Sequence, residues 1–313
     1  MGRRVKKNIF ITGSSGFIGR NLVEYLTAPA QSGNFSVLAP QHKDLELLDS
    51  TAVANFIKEN AVQIVIHCAN IGGGRDTDGL SGVVKKNLRI FFNIIRCLKH
   101  FEKLIHLGSG LEYGRRYWQP KMKEEYFNEH VPDDDAGFYK YLCAKYIESA
   151  DVAVVNLRLF GVFGKYEKYL IKFISNAIAR NILGLPIIIY QNARYDYIYI
   201  DDLMKIVEYF IDGKTTWKTY NVASGQSLDL ASYARIINSV GENESEIIIR
   251  HQGLNNEYSA DTSRLIKEVP EIAFTPAQEA IEKLYRWYKA RKHLLDRDLL
   301  AADPYEKYFG INK

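Results

Sequence analysis

The run Gly13-Ser14-Ser15-Gly16-Phe17-Ile18-Gly19 constrains this chain more than any other stretch. Before it, residues 8–12 are apolar and β-branched and read as a strand. After it, residues 17–26 carry an amphipathic helical pattern. Glycines spaced G-x-x-G-x-x-G at such a junction let the backbone turn tightly and approach a pyrophosphate. The free N–H groups of the helix start then hold the negative charge. Strand, loop and helix in this order point to a dinucleotide. The candidate contacts are Gly13, Ser15, Gly16, Phe17, Ile18 and Gly19.

The alternation continues. Strand-like runs at 36–39, 63–67, 103–108 and 152–160 are separated by helical patterns at 51–60, 81–100 and 136–150. This rhythm predicts an α/β fold, a doubly wound and mostly parallel Rossmann sheet that binds ligands at the carboxyl ends of its strands. Beyond Phe160 the rhythm loosens. Helices are expected at 168–181, from 201 to about 211, at 229–240 and at 276–291, with short strands at 187–190, 197–200 and 220–223. The expected division is a dinucleotide-binding domain at 1–164, to which segments near 195–224 return. A smaller α/β substrate-binding lobe takes 165–194 and 225–313.

At 313 residues the chain can bury a core without disulfides. Its 41 Lys and Arg against 37 Asp and Glu are spread along the sequence, which favours neither a nucleic-acid nor a membrane partner. Cys68, Cys97 and Cys143 lie at no metal-ligand spacing, so no metal is expected, and unpaired cysteines suit a reducing cytoplasm. The basic start lacks the apolar stretch of a signal peptide. Helix 81–100 carries two apolar stripes, one through Leu88 and Phe91 and one through Ile90 and Ile94. The sheet covers one stripe. The other predicts a homodimer through helices 81–100 and 136–150, or burial under the second lobe.

Cofactor choice is read at the end of the second strand. An acidic residue there would hold an adenosine ribose and favour NAD. The chain has His42 and Lys43 instead, which suit the 2′-phosphate of NADP, with NAD still possible. Asp49 either contacts the adenine or caps the next helix. Tyr141 and Lys145 are four residues apart on one helix and share a face. An ammonium beside a phenol favours the phenolate, which makes the phenol a usable acid–base group while a hydride moves to or from nicotinamide. Ser109 falls just after strand 103–108, at the edge where a substrate oxygen would lie.

Together these residues resemble the extended short-chain dehydrogenase/reductase family, the NAD-dependent epimerases, dehydratases and reductases of nucleotide sugars. The resemblance runs through His67-Cys68-Ala69-Asn70, Asn87, Ser109 with Tyr113-Gly114, Tyr141 with Lys145, Arg158 to Gly164, Tyr195 to Asp202, and Asp261 to Arg264. Within the family the pattern is most similar to the GDP-fucose synthases, through Asp44 to Asp49 and Gly72-Gly73. The resemblance implies that Cys68, Ala69, Asn70, Asn87 and Lys145 also contact the cofactor. It implies that Ser109, Tyr141 and Lys145 are catalytic. Leu111 and Tyr166 stand where that branch has its epimerase cysteine and histidine, and Gly110 and Leu111 where the dehydratases have Asp-Glu.

The implied activity is therefore reduction of a nucleotide-linked 4-keto sugar. The alternatives are a 4-epimerase that retains its cofactor and a non-catalytic cofactor-binding scaffold or sensor. Leu111, Gly161, Lys165, Tyr166, Arg194 and Tyr195 are the implied substrate contacts. Gly161 replaces a family asparagine, and Tyr195 replaces the family's diphosphate-clamping arginine.

Overall fold

The computed structural model describes residues 6–31, 33–72, 77, 80–213 and 215–303, so Gly73, the first five residues of the expected dinucleotide-binding domain and the last ten of the expected substrate lobe lie outside it. Strands β1 (Lys7–Thr12), β2 (Phe35–Leu38), β3 (Ile64–His67), β4 (Lys103–Ser109) and β5 (Val154–Leu159) alternate with helices α1 (Phe17–Thr27), α2 (Ser50–Glu59), α3 (Val83–Ile95) and α4 (Asp135–Ser149). All these strands pair in parallel. The side chains explain why. Every residue of β3 and of β5 is buried, as expected of strands covered on both faces. Alternate residues serve opposite layers. Ile9, Ile11, Ile64, Ile66, Ile105 and Leu107 join one core. Phe10, Val65 and Leu104 join the other, with α2, α3 and α4.

Past β5 come β6 (Gly161–Phe163), α5 (Phe173–Ile182), β7 (Ile187–Asn192), β8 (Arg194–Tyr199) and α6 (Ile200–Asp212). Next are β9 (Thr219–Val222), β10 (Ser227–Asp229), α7 (Leu230–Val240) and β11 (Ile247–Leu254), then α8 (Ser263–Glu268), α9 (Ala277–Lys289) and α10 (Arg297–Ala302). The chain returns to the main sheet through β9, which pairs with β5 and completes the order β2-β1-β3-β4-β5-β9. A three-stranded sheet, β10-β8-β6, and a parallel pair, β11-β7, lie apart from it. Helices α5, α7 and α9 pack on one another.

Several boundaries differ from the sequence expectation. Helix α5 begins at Phe173 because residues 168–172 form a turn, with the amides of Ile171 and Lys172 bonded to the Lys168 carbonyl. Strand β8 begins at Arg194, drawn into register by antiparallel pairing with β10. Strand β11 was not expected at all. Its Ile247, Ile248 and Ile249 pair residue for residue with Ile187, Ile188 and Ile189. Helix α3 ends at Ile95, followed by a short 3-10 turn at Leu98–His100.

Candidate active site

The glycine loop is built for a close backbone approach. Gly13 has φ +67°, and a Cβ there would lie 2.8 Å from the backbone of Ala69. A Cβ on Gly19 would lie 2.2 Å from the Gly13 carbonyl oxygen. Gly16 caps α1 without a side chain, so no side chain occupies the N–H groups of the first turn. Phe17 and Ile18 open that turn, and Ser15 is exposed beside it. Ser14 donates to the carbonyls of Ala39 and Pro40, which ties the loop to the end of β2. These features leave a cradle with free N–H donors where a pyrophosphate fits.

Thr12 organises the neighbouring strand end. Its hydroxyl accepts from the amides of Cys68 and Ala69 at 3.2 and 3.1 Å, so its one proton is donated to His67 Nδ1, 2.8 Å away. His67 is therefore the neutral tautomer protonated at Nε2. Burial, reinforced by the nearby Lys140 ammonium, pushes it down to about 3. Asn70 is exposed and donates to the Gly72 carbonyl. Asn87 is buried, and its carboxamide bonds Ile71 N, Ile71 O and Val83 O, so it holds the segment after β3. At the end of β2, His42 and Lys43 are exposed, and His42 lies 3.7 Å from Glu46. Asp49 caps α2 by accepting from Thr51 and Ala52, which holds its carboxyl below the usual range.

Helix α4 brings Tyr141 and Lys145 together on one atom. The Tyr141 hydroxyl donates to Asn128 Oδ1 at 2.6 Å, and Lys145 Nζ donates to the same oxygen at 2.5 Å. Tyr141 is buried and Lys145 exposed. Phe127 packs on the Tyr141 ring at 5.4 Å between centroids. Ser109 ends β4 and starts a 3-10 turn at Gly110–Tyr113. Its hydroxyl accepts from Leu111 N, and Glu112 Oε1 accepts from Ser109 N at 2.9 Å, a capping box. The buried Tyr258 phenol, which burial raises above its usual range, packs against Gly110 of this turn. No direct bond joins Ser109 to Tyr141.

Beneath this turn lies a buried ion pair. Arg158 Nε donates to Glu112 Oε2 at 2.6 Å, with both side chains fully enclosed. Arg158 Nη1 donates to the Tyr113 hydroxyl at 2.6 Å, and Asn156 Nδ2 donates to Glu112. The guanidinium also sits 4.8 Å from the Phe127 ring centre. Burial alone would make Arg158 easier to deprotonate, but Tyr113 and Glu112 outweigh that and hold its proton more tightly. Arg158 thus reaches Ser109 through Glu112, and Tyr141 through Phe127.

The expected substrate contacts are dispersed and mostly engaged. Leu111 lies half-buried in the turn after Ser109. A Cβ on Gly161 would lie 2.7 Å from the Tyr197 ring, which fills the space of any larger side chain. Tyr195 stacks on Tyr197 at 5.5 Å. Arg194 lies 3.5 Å from Glu257 and donates to the Ser227 carbonyl. Lys165 and Tyr166 both close on Glu24 of α1, each at 2.6 Å, and Arg20 stacks on the Tyr166 ring.

The sequence reading missed Asn128, Glu112 and Phe127. Glu112 was readable, because Ser109-x-x-Glu112 is a capping-box spacing. Asn128 lies thirteen residues before Tyr141 in an irregular segment and carries no motif.

Comparison with known proteins agrees with this architecture. GDP-L-colitose synthase of Yersinia pseudotuberculosis is 25% identical over 252 residues, covering 73% of this chain and 80% of that protein. GDP-L-fucose synthase of Dictyostelium discoideum is 21% identical, covering 90% and 95%. The crystal structure of a GDP-6-OMe-4-keto-L-xylo-heptose reductase from C. jejuni superposes with a TM-score of 0.78 at 19% identity, covering 93% of this chain and all of that one. The NAD dependent epimerase/dehydratase family profile matches residues 9–223, and the chain belongs to that family.

Proposed function

We propose that this protein is an NAD(P)-dependent reductase of a nucleotide-linked 4-keto sugar, with NADP the favoured cofactor. The observation that carries the reading is the convergence of Tyr141 and Lys145 on one oxygen position. The names of the relatives, a colitose synthase, a fucose synthase and a keto-heptose reductase, support the substrate class. A bound nicotinamide would supply the hydride. Its pyrophosphate suits the cradle of Gly13, Ser15, Gly16, Phe17, Ile18 and Gly19. His42 and Lys43 are exposed at the end of β2, where an adenosine 2′-phosphate would be met.

Tyr141 gives its proton to the ketone oxygen as that oxygen gains charge. Lys145 holds a ribose hydroxyl and places a positive charge beside the phenol. Ser109 orients the carbonyl. Epimerisation by proton exchange at carbon is disfavoured because Leu111 has no exchangeable proton, while the Tyr166 hydroxyl is bonded to Glu24; a 4-epimerase would use the same Ser109, Tyr141 and Lys145. The segments 165–194 and 225–313 supply the substrate lobe. A second copy covers the seam of Leu88, Phe92 and Tyr146 between α3 and α4.

The test is Tyr141→Phe. Assayed at the nicotinamide absorbance with nucleotide-linked 4-keto sugars, it should keep cofactor affinity and lose turnover by about 10² or more. Undiminished turnover would remove Tyr141 from the reaction. Conversion by the wild type without net NADPH oxidation would replace the reductase reading with a 4-epimerase.

A further inference from the structure

We infer that Asn128 sets the affinity of the cofactor site, because its carboxamide oxygen occupies the seat that a ribose hydroxyl needs and must leave it on binding. The inference rests on the proposal that Tyr141 and Lys145 face a nicotinamide ribose. Asn128 Oδ1 accepts from the Tyr141 hydroxyl at 2.6 Å and from Lys145 Nζ at 2.5 Å. Any oxygen that accepts from both groups must fall on the narrow arc between them, and a second oxygen cannot share it. Lys145 has two further donors, but a ribose hydroxyl set between Lys145 and the Tyr141 oxygen falls in the space that Asn128 Oδ1 fills. Tyrosine has one, so while Tyr141 donates to Asn128 its proton is unavailable to a substrate.

The surroundings allow the exchange. Asn128 is exposed. Its neighbour Phe127 is packed between the Tyr141 ring and the Arg158 guanidinium. The side chain can therefore swing into solvent while the segment stays anchored. The residue has φ +74°, which glycine adopts without strain, so Asn128→Gly removes the side chain alone.

The experiment titrates NADPH and NADH into the full-length wild type, Asn128→Gly and Asn128→Asp, followed by nicotinamide fluorescence. Asn128→Gly should bind about three- to tenfold tighter, the scale of a displaced hydrogen bond. Asn128→Asp should bind weaker by at least as much, since a carboxylate on Lys145 is a stronger competitor. A merely structural role would not move the two variants in opposite directions. Unchanged or weaker binding by Asn128→Gly, with normal binding by the wild type, overturns the role of Asn128 alone. A wild type that binds neither nucleotide overturns the underlying reading of the site as well.

Discussion

Arg158→Met tests how much stability rests on the buried ion pair beneath the candidate catalytic groups. Arg158 and Glu112 are fully enclosed and joined at 2.6 Å. Methionine preserves the hydrocarbon stem but leaves the Glu112 carboxylate with only the Ser109 amide and the Asn156 carboxamide as partners. Removing one member of a buried pair strands the other charge, at a cost of about 3–5 kcal/mol. At roughly 2–4 °C per kcal/mol for a large domain, the melting temperature should fall by about 6–20 °C. Glu112→Gln in the same background removes the stranded charge, so the double variant should melt above Arg158→Met alone. Calorimetric melts of the four proteins complete the cycle. A loss below about 1 kcal/mol for Arg158→Met, or a double variant at the sum of the singles, would refute the reasoning.

Two more outcomes concern residues outside the candidate site. Glu167 is buried against Ser175, and burial pushes its carboxyl up to about 7 from an ordinary 4.5. Between those values the folded chain keeps a proton that the unfolded chain has lost. Stability should be full below about pH 4.5, fall by about 3 kcal/mol as pH rises to 7, and level off above. Glu167→Gln should lack this slope, and parallel pH–melting curves for the two proteins would contradict it. Phe92 is 42% exposed on α3 and meets Tyr146 of α4 edge-on at 5.2 Å. Light scattering should give twice the 35.9 kDa chain mass for the wild type and the single mass for Phe92→Glu. A monomeric wild type would dismiss the paired seam.

The main sheet was legible because its signal is local. Each βαβ unit repeats an apolar run and an amphipathic helix within a few tens of residues, and the glycine loop fixes the polarity of the first. The smaller sheets were less legible because their strands are defined by distant partners. Ile247–Ile249 becomes a strand only against Ile187–Ile189, about sixty residues earlier. The site divides the same way. Tyr141 and Lys145 are readable from one helix face, whereas Asn128 joins them through an irregular segment that no periodicity marks. The two cations among the implied substrate contacts illustrate the remaining gap. Lys165 has Glu24 and Arg194 has Glu257 as carboxylate neighbours, pairings that sequence spacing does not encode.

Strand β9 has a consequence for how the chain emerges from the ribosome. Until Thr219–Val222 is synthesised, β5 has no partner on one side, although all six of its residues are buried in the finished sheet. A nascent or truncated product ending near residue 164 therefore presents a bare, apolar ladder to other chains, the hazard that unpaired strand edges carry. The six-stranded sheet is therefore complete only after the whole segment between β5 and β9 has been made.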